Sequence, residues 1–533
     1  MTQANSTSIN FESSLFSNFV PENISEPNNV MEQKSHYLPD EMCLVPMPGP
    51  RLLEIYNRAI NLNDPFELRD LFLGRIEAEL NFKDKKLHLE EKWRSSKIHR
   101  SVDENFVLHS NVTARFIKEL FNWFFSKDLY GRFKSDQNII FSSGSVDQTV
   151  FGISSVLKEC IQYALSRDWY GYSDSIGREA TRDSIAALEN ARIGIEAYTR
   201  DNTVITIGGT FAINSIVDFL KLNQESKASP VLCGIPNYPP LVEAVSRRFP
   251  LSLVPLPCYK GRTNLRPLIE SLRPSTPFVL LQTVTNPTGT KVSETELETL
   301  IEAASPNTFI ILDECHECFG LSESISPARL NSNVVRVSSL SKNLSAPGLK
   351  LGWFLADESF VRSYYEYAST SYGSPPSLFY LFVEVMARME CWRLKKIEVL
   401  SLTQLKEFEN AYNLQLDSLQ KVYENYKKHQ NIREQNLINC RQEMVQRTVK
   451  AKVDLIEPVY SLNVLLSPSS CNDDYLYFRK VLSETKVSLY PGILSFCLSG
   501  NWIRVSPCIA KKNFDEAISR LEIYWHKSAT NLL

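Results

Sequence analysis

The spacing of apolar and polar positions changes several times along this chain, and each change marks an element. Residues 1–45 are rich in Ser, Asn, Glu and Pro with little periodic apolar pattern, which predicts a flexible or loosely draped arm. From 46 to 136 apolar residues recur at helical spacing, as in LLEIYNRAI and FELRDLFLGRIEAEL, and predict a helical N-terminal extension. Within it, TARFIKELFNWFF is apolar over a broad face and should pack against the main body. Between 200 and 360 the pattern shortens to the runs TVITIGG, PVLCGIP, LSLVPLP, FVLLQTV, TFIILDE, VVRVSSL and KLGWFLA. Amphipathic stretches such as FAINSIVDFLKL and PLVEAVSRRF separate most of them. Near-continuous β-branched runs alternating with helices predict an α/β fold, with a mostly parallel central sheet covered by helices on both faces. This large domain is expected over 137–370, and a small α+β C-terminal domain over 371–533. The latter reads as strand YSLNVLLS, helix DDYLYFRKVLSE, strand NWIRVSP and helix NFDEAISRLEIYW. The charged stretch over 385–450 predicts a solvated long helix or helical pair, with no chemistry of its own.

Composition narrows the class without choosing a function. The chain has 533 residues, 43% hydrophobic and 22% charged, with a net charge of -3. A balance so close to neutrality gives no reason to expect nucleic acid or an acidic membrane as partner. The 46–136 region has acids and bases in near balance and no clear recognition helix, which argues against a DNA-binding regulator. No uninterrupted apolar run is long enough to span a bilayer, and MTQANSTSINFESS lacks the features of a secretory signal. Eleven cysteines without framework spacing read as reduced thiols, so a cytoplasmic protein is expected. Cys315 and Cys318 form a single CxxC, for which packing at a strand end is preferred over a metal or redox role.

In a parallel α/β sheet ligands gather at the carboxyl ends of strands, so the residues after each run are the ones that can carry chemistry. The first run ends in Gly208, Gly209 and Thr210 before a helix, where free N–H groups and the helix dipole favour an anion. Taken alone, this is also ordinary turn chemistry. The second ends in Pro236, Asn237 and Tyr238, an aromatic able to stack on a planar heterocycle or simply to lie under the next helix. The fourth continues into Asn286-Pro287-Thr288-Gly289, where the proline holds Asn286 extended and can aim its amide into a cleft. The fifth ends in Asp313, an acid that is costly to bury without a cationic partner. The sixth runs through Ser339 to Lys342, followed by Ala346-Pro347-Gly348-Leu349-Lys350. A sheltered lysine there loses its charge readily, as a Schiff-base nucleophile must.

Each signal is modest, but their order and spacing form a joint pattern. The segments YGYSDSIGREATRDSIAAL, IGGTFAI, PNYPPL, TNPTG, ILDECHECF, SSLSKNLSAPGLKLGW and NWIRVSPCIA together resemble the class I/II aminotransferase family of fold-type I pyridoxal-phosphate enzymes. The resemblance runs from about residue 137 to the C-terminus, interrupted near 390–430. It implies pyridoxal 5'-phosphate as cofactor, an amino acid as substrate, and a homodimer with shared active sites. It further implies that Lys342 forms the Schiff base and then moves the Cα proton, and that Asp313 pairs with the pyridine nitrogen. Asn286 is implied at the ring's phenolic oxygen and Tyr238 on its face. Gly209, Thr210, Ser339 and Lys350 are implied to hold the phosphate, with Tyr172 reaching it from the neighbouring subunit. Arg504 is implied to grip the substrate α-carboxylate, with Asn286 beside it.

Three departures from the family matter. His316 stands three residues after the aspartate, where a tyrosine is usual; it either donates to the phenolic oxygen in the same way or moves protons itself. Lys350 replaces an arginine and supplies charge without a planar fork. The glycine usual near the start of the C-terminal unit is missing from EPVYSLNVLLS, which bears on side-chain specificity. The expected activity is therefore aminotransfer to a keto acid. The alternative is a lyase, a β- or γ-substitution enzyme or a cyclising synthase on the same scaffold, which His316 and the large N-terminal region favour.

Overall fold

Each of the seven apolar runs between 200 and 360 forms a strand in the computed structural model, which describes residues 8–11, 13–17, 20, 22–25, 42–80, 85–223, 229–320 and 323–530. The chain groups into two compact units, each assembled from three separate stretches. One comprises 1–32, 147–212 and 321–439; the other comprises 33–146, 213–320 and 440–533.

In the first unit the strands are Thr203–Thr206, Val334–Ser339 and Gly352–Leu355, every residue of them buried. Gly352–Leu355 runs antiparallel to both of the others, and Gly352 lies opposite Thr206 on one side and Ser339 on the other. The chain therefore leaves both flanking strands at the same edge, over a residue without a side chain. A Cβ on Gly352 would meet Ser338 O at 2.8 Å, Gly208 C at 2.9 Å and Gly209 N at 2.9 Å, all backbone atoms that cannot rotate away. The core of this unit includes Leu157, Ile185, Ile205, Trp353, Phe382 and Met386.

The charged stretch departs from its expectation. Helices span Tyr380–Leu394 and Leu416–Lys450. In the part of the second that belongs to this unit, Leu419, Val422, Tyr423, Tyr426, His429, Arg433 and Leu437 are buried at intervals of one to four residues. The helix thus has a full inner face rather than being solvated all round, and its surface charges mask that stripe in the sequence. Most of the expected 1–45 arm lies outside the described residues. Of the rest, Ser8–Phe11 pairs antiparallel with Glu22–Ser25. Leu15 is buried, and its N–H donates to Glu159 Oε2 at 2.9 Å while the Ser14 hydroxyl donates to Oε1 at 2.7 Å.

In the second unit the strands Phe309–Asp313, Phe278–Gln282, Val231–Ile235 and Leu251–Pro255 are parallel neighbours in that order. The register sets Gln282 directly opposite Asp313. The N-terminal helices Pro50–Arg58, Pro65–Glu79 and Asn111–Trp123 belong to this unit, the last continuing as a π-helix over Phe124–Arg132. Asp454–Ile456, Val464–Ser467, Ile503–Val505 and Tyr490–Pro491 form an antiparallel sheet with helices Asp474–Thr485 and Lys511–Thr530. Buried ion pairs tie the N-terminal helices to this C-terminal part: Glu77 lies 3.0 Å from Arg132 and 3.2 Å from Arg479, and Arg75 pairs with Asp473. Charges this deep are tolerated because each meets an opposite partner. The expectation of an α/β fold with a large, mostly parallel sheet holds.

Candidate functional site

The residues singled out from the sequence fall into two groups, one in each unit. In the first unit, Gly208 has a left-handed backbone (φ +96°) and turns the chain into the helix Gly209–Leu222. A Cβ there would already be 3.7 Å from the Lys350 backbone, so the two turns are in contact. Lys350 itself adopts φ +54° and is exposed. Ser339 caps the short helix Leu340–Asn343, its hydroxyl accepting from Ser341 N, and this helix carries a half-buried Lys342. Gly208, Gly209, Ser339, Lys342 and Lys350 are thus brought to one edge by the register around Gly352, with Thr210 exposed in the first turn of its helix. Backbone N–H groups, a hydroxyl and an ammonium make a donor set suited to a phosphate. Tyr172 is wholly exposed, at 105% of its reference area.

The second unit gathers Asp313, Asn286, Tyr238, His316 and Arg504. Asp313 is buried, and its carboxylate accepts from Gln282 Nε2 at 3.0 Å and Cys315 N at 3.1 Å. Gln282 Oε1 in turn accepts from Asn286 N at 3.2 Å, and Asn286 Oδ1 accepts from Arg504 Nη1 at 3.2 Å. A continuous run of hydrogen bonds, through the Gln282 side chain and the backbone N–H and side chain of Asn286, therefore joins Asp313 to Arg504. Arg504 Nη2 donates to Ser142 O at 2.8 Å, and its guanidinium lies 3.7 Å over the Tyr490 ring. Among the described residues no carboxylate pairs with Arg504 and no cation pairs with Asp313. Burial accordingly pulls the Arg504 guanidinium below its ordinary pKa, opposed by Tyr490 and Tyr238. Burial also pushes the Tyr238 phenol up, while Arg504 pulls it down and Asp313 adds to the rise, so both charges act on the same ring.

His316 is buried and bonded through Nδ1 to Ser461 Oγ at 2.6 Å. Ser461 has φ +62°; its N–H donates to Cys318 O at 2.7 Å and its carbonyl accepts from Arg441 Nη1 at 2.7 Å. In the segment that lacks the glycine, Asn463 is buried, donating to Asn286 Oδ1 at 3.4 Å and accepting from the Ser506 hydroxyl at 2.8 Å. Cys315 and Cys318 form no disulfide, and each is partly exposed. Among the described residues no group of three or more His, Cys, Asp or Glu could hold a metal, and no helix is long and apolar enough to cross a membrane.

Gln282, Asn463, Tyr490 and Ser142 were not legible as site residues. Two had a signal: Gln282 is the one polar residue in FVLLQ, and Asn463 interrupts the apolar run of YSLNVLLS. A polar side chain at a buried strand position needs a partner, and here each has one.

The mixed α/β fold is that of solved aminotransferases. It is the fold of the Thermus thermophilus aspartate aminotransferase solved with maleate, at a TM-score of 0.59 and 17% identity over 79% of this chain and 99% of that one. The same holds for the Mycobacterium tuberculosis N-succinyldiaminopimelate aminotransferase, with a TM-score of 0.58 and 16% identity over 79% of this chain and 100% of that one. The family model for class I and II aminotransferases matches residues 147–390. Curated relatives include a histidinol-phosphate aminotransferase of Carboxydothermus hydrogenoformans, 25% identical over 41% of this chain and 58% of the relative. An aromatic-amino-acid aminotransferase of Thermococcus litoralis is 24% identical over 69% of this chain and 87% of the relative. Over residues 147–390 the chain is thus similar to the class I and II aminotransferases, and it shares their fold.

Proposed function

We propose that this protein binds pyridoxal 5'-phosphate and moves the amino group of an α-amino acid to a keto-acid acceptor. The observation that carries the reading is the pair of buried charges, Asp313 and Arg504, each without an opposite partner among the described residues and joined through Gln282 and Asn286. Burying two unpaired ions costs several kcal/mol each unless a ligand supplies the missing charges (of order 3–5 kcal/mol for an uncompensated member of a pair). A protonated ring nitrogen would answer Asp313, and a substrate α-carboxylate would answer Arg504. The cradle of Gly209, Thr210, Ser339 and Lys350 fits a phosphate by its donors.

When bound, the cofactor supplies an electron sink for the electrons released at the substrate Cα. Lys342 would hold the cofactor through its amine, and the same amine would take the proton from the substrate Cα. Asp313 would hold the ring nitrogen protonated; such a charged hydrogen bond contributes about 1.5–3 kcal/mol. Asn286 has its Oδ1 committed to Arg504 and Asn463, which leaves its amide N–H groups for the phenolic oxygen. Tyr238 would lie against the ring, and Arg504 would orient the substrate by its carboxylate. Exposed Tyr172 is proposed to reach the phosphate of a neighbouring subunit in a homodimer.

The test is an absorbance scan of the purified protein with a panel of amino acids, beside Lys342→Ala, followed by assay for keto acid. A visible cofactor band lost in Lys342→Ala, with keto acid formed, supports the reading. A wild-type protein without the band refutes it. His316 bonded to Ser461, in place of a tyrosine, favours a second reading: elimination, substitution or cyclisation on the same scaffold. Turnover of substrate with no amino group passed to the cofactor or to a keto-acid acceptor would select that one.

A further inference from the structure

We infer that Arg433 is a positioning residue for Lys342, acting from the charged helix Leu416–Lys450 on the backbone that carries the lysine. The inference rests on Lys342 being the cofactor lysine. Arg433 is fully buried. Its Nη1 donates to Asn343 O at 2.6 Å, its Nη2 to the Ser345 hydroxyl, and its Nε to Phe151 O at 3.0 Å. Two of the three acceptors thus lie within three residues of Lys342.

The lysine's own helix, Leu340–Asn343, has four residues and cannot hold its shape by itself. Its last carbonyls point beyond the final turn and need donors. Ser345 N donates to Lys342 O at 3.2 Å, and Arg433 takes Asn343 O. The guanidinium also places positive charge at a helix C-terminus, the end that favours it. Ser345 stands in the left-handed region at φ +56° and is buried, a conformation that a non-glycine residue keeps only when its surroundings enforce it. The bond from Arg433 to its hydroxyl is such a restraint. A guanidinium offers five N–H donors in one rigid plane, so the three acceptors are fixed relative to one another; an ammonium on a flexible stem does not do this. The bond to Phe151 O anchors the same plane to the chain at the start of this unit's second stretch.

The experiment compares wild type, Arg433→Lys and Ser345→Gly. Glycine accepts the left-handed backbone and removes the hydroxymethyl group that Arg433 holds, so this variant keeps the test valid if the arginine variant folds poorly. Each protein is stripped of cofactor and mixed with pyridoxal 5'-phosphate. Borohydride then traps the adduct at timed intervals, and the label on Lys342 is read by peptide mass spectrometry. The pH midpoint of the visible band is titrated in parallel. Misplacing a reacting group by about an ångström costs on the order of a hundredfold. Arg433→Lys is therefore expected to slow labelling at least about tenfold, and Ser345→Gly by a smaller factor, each with a displaced band midpoint. Wild-type labelling rates and midpoints in both variants would overturn the inference. Failure of wild type to label Lys342 at all would instead overturn the cofactor reading, and this inference with it.

Discussion

Replacing Arg504 by methionine separates what the residue does for folding from what it does for substrate. The guanidinium donates to Asn286 Oδ1 at 3.2 Å and Ser142 O at 2.8 Å and lies 3.7 Å over Tyr490. Losing two hydrogen bonds to neutral acceptors costs about 1 kcal/mol each, and losing the ring contact costs about 0.5–2 kcal/mol. Against this stands the removal of a buried cation with no counter-ion, a relief of several kcal/mol by the usual order of magnitude. Methionine fills much of the same volume with a flexible apolar chain. The free protein should therefore lose less than about 1 kcal/mol of stability, or gain some, as measured by urea unfolding. Substrate recognition should move the other way. Truncating one side of a buried, hydrogen-bonded charge pair costs about 2–5 kcal/mol, so kcat/KM for amino acids should fall on the order of a hundredfold or more. The matching amine without a carboxylate provides the control, and its turnover should change little. Equal losses for amino acid and amine would refute the reasoning. So would a stability loss above about 3 kcal/mol with substrate affinity unchanged.

Gly352→Ala forces a Cβ to within 2.8–2.9 Å of three backbone atoms of the cradle, so it should cost about 1–3 kcal/mol in thermal unfolding and weaken cofactor binding measured by equilibrium dialysis. Gln282→Leu strips a donor from the buried Asp313 carboxylate and an acceptor from Asn286 N; a destabilisation of about 2–4 kcal/mol and a raised cofactor Kd are expected, and a neutral outcome would break the proposed chain. Burial first, then the charges of Arg433 and Lys158, hold His429 down to about 3. Its folded pKa lies below the free value of 6.5, so its contribution to stability is complete above about pH 6.5 and is lost as pH falls toward 3. In His429→Leu, urea midpoints should fall less steeply across that range than in wild type.

Legibility differed from residue to residue for a physical reason. Asp313 and Ser339 end strands whose apolar runs are contiguous in sequence, so their positions follow from local pattern alone. Gln282 was invisible as a partner of Asp313 because only the parallel register of Phe278–Gln282 against Phe309–Asp313 sets the two side by side. Ser142 was invisible because its carbonyl meets Arg504 across 362 residues of chain. Arg433 lay in a stretch whose density of charge pointed to solvent, and only its burial distinguishes it from its charged neighbours.

Local spacing of apolar residues was enough to determine the strands of the sheet and the alternation with helices. These depend on side-chain periodicity over ten or so residues, which is written directly in the chain. Tertiary structure decided which segments share a compact unit, so that residues 33–146 join 213–320 and 440–533. It also decided which charges are buried with partners, as Glu77 is with Arg132 and Arg479, and which are buried without an opposite charge among the described residues, as Asp313 and Arg504 are. That distinction arises from desolvation, and desolvation is a property of the packed molecule rather than of any local stretch of sequence.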